Sequence, residues 1–370
     1  MKKPSKAAVF VLCISLCAMV LFAGCGQKSG NNAPADGAKL VTVATSIQPC
    51  YNSVPMDIAD KKGYYKSFGV NAPLQVFTSG GPQNEALAAG KWDIGMLGMA
   101  AALSCIRYDA KIIAVADYEG AAIKTLVRKD SEILKVVQFD ANGRPSFKPG
   151  AADAIRGKTI VTTVGTSGHY SVGTMLKALG LTFNDVKILN MDQPSVVAAF
   201  KAGQGDLATV WAPYTWPLLN EGAVSINDIV ANGSELPAVI LVRGEYYKNP
   251  ANREAIKNWL KAYFKGIDDM KRDKQLNMAS TKAYLKDQGY DPTDKQLEAE
   301  VADKPLFNLK EQIDLFDPAK GKNGMGDAIY QFSLQADYLV GQQVITKEQR
   351  DKFVKESFTD EFLKELLAGK

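Results

Sequence analysis

The stretch Ala86-Leu87-Ala88-Ala89-Gly90-Lys91-Trp92-Asp93-Ile94-Gly95 returns 113 residues later as Ala199-Phe200-Lys201-Ala202-Gly203-Gln204-Gly205-Asp206-Leu207-Ala208. Each copy reads as a helix end, a glycine stop, an Asp and the start of a strand. A left-handed glycine ends each helix, and the Asp three residues on can bond backbone amides where the chain turns into the strand. The copies sit in two blocks of similar strand and helix order, roughly residues 40–127 and 157–240. That predicts two lobes of the same build, two generic αβ loops being the alternative.

Outward from the first copy, Val41 to Thr45, Gln75 to Thr78, Asp93 to Leu97 and Ile112 to Ala116 read as short strands separated by helical runs, the pattern of an α/β fold. Ser53 and Pro82 mark helix starts, and Gly63, Gly90, Gly180 and Gly203 mark helix stops. Past Pro250 the pattern turns helical, over Ala251 to Arg272, Lys274 to Gln288 and Gly326 to Val344. The apolar strand Val239 to Arg243 is expected to carry the chain back, so that this tail packs on the first lobe.

The chain has 370 residues, 46% hydrophobic and 23% charged, enough for a sizeable core and two or three domains. Its excess of four basic residues falls to one once Lys2, Lys3 and Lys6 are set aside. Interspersed, near-neutral charge leaves no footprint for nucleic acid. The single His169 excludes a multi-His metal site or proton relay, and no cofactor is expected.

Those three lysines precede an uncharged apolar run, Ala7 to Phe22, that ends in Leu21-Phe22-Ala23-Gly24-Cys25. This is the layout of an export signal, with residues 1–24 removed. Small residues before a Cys resemble the bacterial lipobox, although Phe22 stands where Leu is commoner; the resemblance implies that Cys25 is lipidated and becomes residue one. Residues 25–39 hold no aromatic or branched aliphatic side chain and read as a flexible tether. An uncleaved membrane helix is the alternative. Of the cysteines, Cys50 and Cys105 remain; one disulfide is arithmetically open and buried free thiols are the simpler reading.

Two α/β lobes side by side make a cleft, and ligands of such sheets collect at the carboxyl ends of strands. Those ends supply the candidate ligand-binding residues: Gln48, Ser79, Gly80, Met99 and Glu119 from the first lobe, Thr166, Ser167, Gly168, His169, Trp211 and Tyr214 from the second. The repeat maps Gly98 onto Trp211, so these two are expected to face each other. Lys158 to Tyr170 reads as a strand, a hydroxyl-rich turn and a helix start. Its free amides attract an anion, Thr166 and Ser167 add hydroxyl donors and His169 a ring donor. Ordinary N-capping is the other reading. Trp211 and Tyr214 offer a clamp for an apolar ligand body, whereas Trp216 suits the core. Glu119 either binds an amine or is simply solvated.

The order of Pro55 to Tyr65, Ser79-Gly80-Gly81 leading to Gly95, Gly165-Thr166-Ser167-Gly168-His169-Tyr170 and Glu311 to Phe316 behind a lipobox resembles the substrate-binding lipoproteins of ABC importers for sulfonates, taurine, nitrate and thiamine-pyrimidine-like compounds. The resemblance implies a type II periplasmic-binding-protein fold, a Venus flytrap with a helical C-terminal tail. Lobe 1 is expected over residues 40–127 plus 241–370 and lobe 2 over 128–240, with hinges near Leu126 to Lys129 and Leu241 to Gly244. It implies a monomeric, non-enzymatic receptor, lipid-anchored outside the cytoplasm. The receptor would hand a small organic anion, a sulfonate first, to a membrane permease driven by a separate ATPase, since GxxxxGK[ST] is missing. Nitrate, bicarbonate or a thiamine-pyrimidine precursor are the other cargoes. An enzyme like the thiamine-pyrimidine synthases, and a lipoprotein that signals or adheres without transport, are the other classes. The stretch Lys129 to Ile155 looks longer than the family's and is expected to reshape the cleft rim.

Overall fold

The computed structural model describes residues 39–105, 108–343 and 345–369. The expected signal peptide, Cys25 and the tether up to residue 38 lie outside the described residues, as does the side chain of Cys105. In chain order the first half holds β1 (Val41–Thr42), β2 (Thr45–Ile47), α1 (Val54–Lys61), α2 (Tyr64–Ser67), β3 (Val70–Asn71), β4 (Leu74–Val76), α3 (Gly80–Ala88), β5 (Ile94–Gly98), α4 (Met99–Cys105), β6 (Lys111–Tyr118) and β7 (Lys124–Val127). Next come β8 (Val137–Phe139), β9 (Pro145–Phe147), α5 (Ala151–Ile155), β10 (Thr159–Thr162), α6 (Ser167–Ala178), β11 (Lys187–Asn190), α7 (Gln193–Lys201), β12 (Leu207–Val210), α8 (Thr215–Asn220), β13 (Val224–Asn227) and β14 (Pro237–Val242). The remainder is helical: α9 (Gly244–Lys248), α10 (Arg253–Arg272), α11 (Lys274–Asp287), α12 (Asp294–Asp303), α13 (Leu309–Phe316), α14 (Asp327–Gly341), α15 (Lys347–Glu356) and α16 (Glu361–Leu367).

The quoted repeat is one physical device used twice. Gly90 and Gly203 sit at φ 66° and 85°, the left-handed region that a residue with a Cβ adopts at a cost. In the first copy Asp93 accepts the Ala44 amide at 3.1 Å; in the second Asp206 accepts the Thr159 amide at 2.8 Å. Each carboxylate therefore ties the start of one strand to the mouth of its neighbour.

Two five-stranded sheets result, in the orders β4-β2-β5-β14-β6 and β11-β10-β12-β7-β13. In each, the fourth strand is antiparallel to its neighbours, so the sheets match position by position. The expected boundaries at 127/128 and 240/241 cut through this arrangement. Lys124–Val127 pairs in the second sheet, and Pro237–Val242 pairs whole in the first. Each sheet thus receives its antiparallel strand from chain that has just crossed between lobes. Both strands are almost wholly buried, and an apolar run of that kind suits the middle of either sheet.

The stretch expected at the cleft rim lies elsewhere. A 3-10 turn over Glu132–Val136, the hairpin β8–β9 and α5 carry Ile133, Val137 and Ile155 into an apolar cluster with Ile160, Val172 and Leu176 on the second lobe.

The helical tail packs on the first sheet and seals its edge. Gly266 of α10 passes so close to α1 that a Cβ there would lie 2.4 Å from the Pro55 carbonyl oxygen, and Trp259 donates to the Thr45 hydroxyl at 2.8 Å. Along β6, Gln312 accepts the Val115 amide at 2.9 Å and donates to the Val115 carbonyl at 2.7 Å. Ile112 pairs with Phe358 and Asp117 with Leu306. The outer groups of an edge strand, which would otherwise be open to another chain, are thereby occupied.

Candidate functional site

The chain crosses between sheets twice, over residues 119–123 and 228–236, and the two crossings bond each other. Glu119 donates its amide to the Leu236 carbonyl at 2.8 Å, Ile229 to that of Gly120 at 3.1 Å, and Glu235 accepts the Gly120 amide at 3.0 Å. This paired ribbon is the connection between the two lobes. The segments expected as hinges, Leu126 to Lys129 and Leu241 to Gly244, instead begin inside β7 and β14, where ladder bonds hold the backbone.

Between the lobes lies a cavity lined by Gln48, Cys50, Asn52, Gly80, Met96, Gly98, Ala101, Glu119, Thr166, Ser167 and Trp211, with a volume of about 20 Å³. That is room for roughly one water. The helix starts of α3 and α6 reach it from opposite lobes through Gly80 and Ser167. Among the described residues neither helix has a capping side chain bonded to its first amides, and those donors carry the positive end of the helix dipole. At Gly98 the two lobes approach closely. A Cβ there would lie 2.7 Å from Ser167 Oγ and 2.9 Å from Glu119 Oε1.

Six of the residues expected from sequence line this cavity: Gln48, Gly80, Glu119, Thr166, Ser167 and Trp211. Gly98 and Trp211, which the repeat offset relates, both line it. The others are placed elsewhere. Met99 is fully buried in the core and Ser79 is buried behind the helix start. Gly168 sits against the hydroxyls of Thr162 and Thr166. Tyr214 bonds across the lobes to the Thr78 carbonyl at 3.2 Å and meets Trp211 edge to face, so it positions Trp211. His169 stacks on Phe183 with ring centres 4.6 Å apart, and burial lowers its pKa, which disfavours the imidazolium. Helical spacing explains this: two residues past Ser167 the side chain has turned to another face of α6.

The hydroxyls of the expected anion cradle are also engaged. Thr166 donates to the Thr163 carbonyl at 2.7 Å, while Ser167 donates to Glu119 Oε1 at 3.2 Å. Gln48 is fixed through its amide to Gln83, at 2.6 Å, and Gln83 in turn bonds Ser46 and the Met96 carbonyl.

Sequence reasoning missed Asn52, Cys50 and the groups beneath them. Asn52 Nδ2 lies 3.4 Å from Asp117 Oδ1 and 3.5 Å from Glu119 Oε2, and Cys50 donates to Asn52 Oδ1. Lys304, fully buried, pairs with Glu300 at 2.7 Å. Burial raises the Asp117 carboxyl well above the usual range and Glu119 adds to the rise, while Lys304 opposes it. Burial raises Glu119 too, again against Lys304. The Cys50 thiol is pushed up by burial and stays protonated. The signals were weak: Asn52 follows the end of β2 by a few residues, and nothing local marks Lys304.

Among the described residues no group of three or more His, Cys, Asp or Glu side chains is placed to hold a metal ion, and no helix is long and apolar enough to cross a membrane.

A family model described as the NMT1-like family matches residues 36–281. A Brachyspira hyodysenteriae protein described as an ABC transporter periplasmic binding protein is 26% identical over 336 residues, 91% of this chain and 92% of its own. A Bacillus subtilis protein described as an aliphatic sulfonates-binding protein is 27% identical over 69% of this chain and 72% of its own. The solved periplasmic nitrate-binding protein of Synechocystis superposes with a TM-score of 0.68 at 15% identity, covering 91% of this chain and 90% of its own. The fold is therefore the two-lobed periplasmic-binding-protein fold with a helical C-terminal region.

Proposed function

The chain belongs to the NMT1-like family, and on that footing we propose that it is the extracytoplasmic solute-binding component of an ABC importer. It captures a small organic anion, a sulfonate first, between its lobes and passes it to a permease worked by a separate ATPase. The observation that carries this reading is the meeting of the α3 and α6 helix starts across the cleft over Gly98. The similarity to an ABC transporter binding protein along nearly the whole chain, and to an aliphatic sulfonates-binding protein along most of it, supports the class. Trp211 gives the cavity an apolar wall that an inorganic ion would leave unused. Chemistry at the site is disfavoured, since its one thiol is held protonated and its hydroxyls are engaged with neighbours. Cys25 behind its apolar run anchors the receptor by lipid, and the released chain is a monomer.

A second cargo is favoured by one observation: the flat Trp211 face beside the Glu119 carboxylate also suits an aminopyrimidine, with an enzyme of the thiamine-pyrimidine-synthase type as the more distant relation of that reading. A thermal-shift screen of residues 26–370 against alkyl and aryl sulfonates, nitrate, bicarbonate and thiamine-pyrimidine precursors tests both. A ligand that binds only the folded state raises the melting temperature. Stabilisation by sulfonates is the expected result; stabilisation by pyrimidines alone moves the cargo to the second reading, and turnover of any ligand would refute the receptor role.

A further inference from the structure

An oxyanion held at the start of α6 lies beside Glu119. Ser167, the first residue of that helix, donates to Glu119 Oε1 at 3.2 Å, and both side chains line the cavity between the lobes. None of the residues lining that cavity is Lys, Arg or His, and Glu119 is its one carboxyl. An anion set against an ionised Glu119 would therefore meet a like charge with no cation in the lining to offset it, away from bulk water. Neutralising the carboxyl removes that conflict and also supplies a donor. A protonated carboxyl carries one O–H and keeps acceptor capacity, so it can go on accepting from Ser167 while giving its own proton to the anion.

The groups packed around Glu119 favour the proton without forcing it. Glu119 is buried, and burial raises its pKa. Asp117 at the end of β6 is completely buried and shares one amide with it: Asn52 Nδ2 lies 3.4 Å from Asp117 Oδ1 and 3.5 Å from Glu119 Oε2. Asp117 Oδ2 has no hydrogen-bond partner among the described residues, so two buried carboxyls lean on a single neutral donor, which disfavours ionising both. Glu235 on the second crossing and Glu300 on α12 push Glu119 the same way. Lys304, just past α12, and the Ser167 hydroxyl oppose them. Cys50 is held protonated, and α3, α4 and α6 bring only Gly80, Ala101 and Ser167 to the lining. His169 is turned away onto Phe183. An anion arriving at the α6 start is one more like charge, and it tips this balance toward the protonated form.

We propose that Glu119 binds the solute as a neutral acid: capture of an oxyanion at the start of α6 is coupled to the uptake of one proton from solvent by Glu119, which donates a hydrogen bond to the bound oxygen. This role rests on the receptor reading above and sets the chemistry of its cargo, a solute that presents a bare acceptor oxygen to Glu119. It makes capture pH-dependent even for an anion that does not itself titrate. The free receptor gives up its Glu119 proton more readily than the complex does, so affinity falls as pH rises.

Isothermal titration of residues 26–370 with ethanesulfonate and with nitrate, neither of which titrates near neutrality, tests it between pH 5 and pH 8. Each titration is run in two buffers of different ionisation heat, which counts the protons taken up. The expected result is a Kd that rises by at least about tenfold across the range, with uptake approaching one proton per anion at its upper end. Glu119→Gln keeps the shape of the side chain and presents an amide donor at every pH. It is expected to flatten the pH profile, to abolish the proton uptake and to bind more tightly than the parent at pH 8. A melting curve checks its fold, and the proton count on the unaltered protein decides the matter if the variant does not fold. Binding without proton uptake, a pH profile that survives in Glu119→Gln, or weaker binding by that variant at pH 8 overturns the proposal and leaves the receptor reading standing. Binding of an aminopyrimidine with neither anion bound also overturns it, because a nitrogen donor needs the carboxyl as an acceptor. No binding of any of the three compounds overturns the cargo reading and the proposal together.

Discussion

Replacing Gly98 by Ala separates closure of the cleft from stability of the lobe. Gly98 ends β5 opposite Ala238 and does not use the left-handed region, so Ala is compatible with its backbone. In the unliganded, open protein the change is expected to be neutral or to stabilise by ~0.4–1 kcal/mol through the unfolded chain. On closure, the new Cβ would lie 2.7 Å from Ser167 Oγ of the opposite lobe, a distance that real Cβ atoms essentially never show. Ser167 must move, and its 3.2 Å hydrogen bond to Glu119 is lost. A bond to a charged group contributes ~1.5–3 kcal/mol, which is about a 10- to 150-fold rise in Kd if closure bears the whole loss. Titration calorimetry with the best ligand reads the affinity, and a melting curve without ligand reads the lobe. Affinity within twofold of the parent, or a melting point lowered by several degrees without ligand, would refute the reasoning that Gly98 is the contact over which the lobes shut.

Lys124 of β7 bonds Asp303 at the end of α12 at 3.0 Å, joining the second lobe to the tail, and both side chains are partly exposed. Lys124→Met is expected to weaken solute binding by at most ~1 kcal/mol and to blunt its salt dependence; a loss beyond about tenfold would show that the bridge does more than an exposed ion pair can. His169 has its folded pKa lowered by burial. As pH falls below about 6.5 the unfolded chain takes up the proton first, so stability declines there at no more than ~1.4 kcal/mol per pH unit. His169→Phe, which keeps the stack on Phe183, is expected to narrow the difference in melting temperature between pH 7 and pH 5; an unchanged difference would place the titration elsewhere. Gln312→Leu strips both bonds to Val115 and is expected to cost roughly 1–3 kcal/mol for each backbone group left dry, seen as a lower denaturation midpoint. Cys25→Ser is expected to release the protein from the membrane fraction, and retention there would argue for an uncleaved helix.

The repeat was legible because its cause is local. A glycine stop, an Asp three residues on and an apolar strand act within ten residues, and both copies fold the same way. The cleft was legible for the same reason, since strand ends and the start of α6 are read from the order of elements, and six of the expected residues came to the cavity. Direction was harder. Sequence order put His169 in the cradle, but rotation along α6 turns it onto Phe183.

Pairing between strands far apart in the chain was not legible. β7 and β14 carry buried apolar runs that fit the middle of either sheet, and only the packing of the whole molecule exchanges them, which moves the crossings to 119–123 and 228–236 and brings Glu119 into the cleft. The charge of the cleft floor was hidden for a related reason. Lys304 and Glu300 read as ordinary surface charges on a polar helix until the tail folds back and buries both beneath Asp117 and Glu119. Turns and caps are settled by neighbours in the chain, whereas the protonation and partners of a buried group depend on every segment that closes over it, and those segments come from both lobes and the tail.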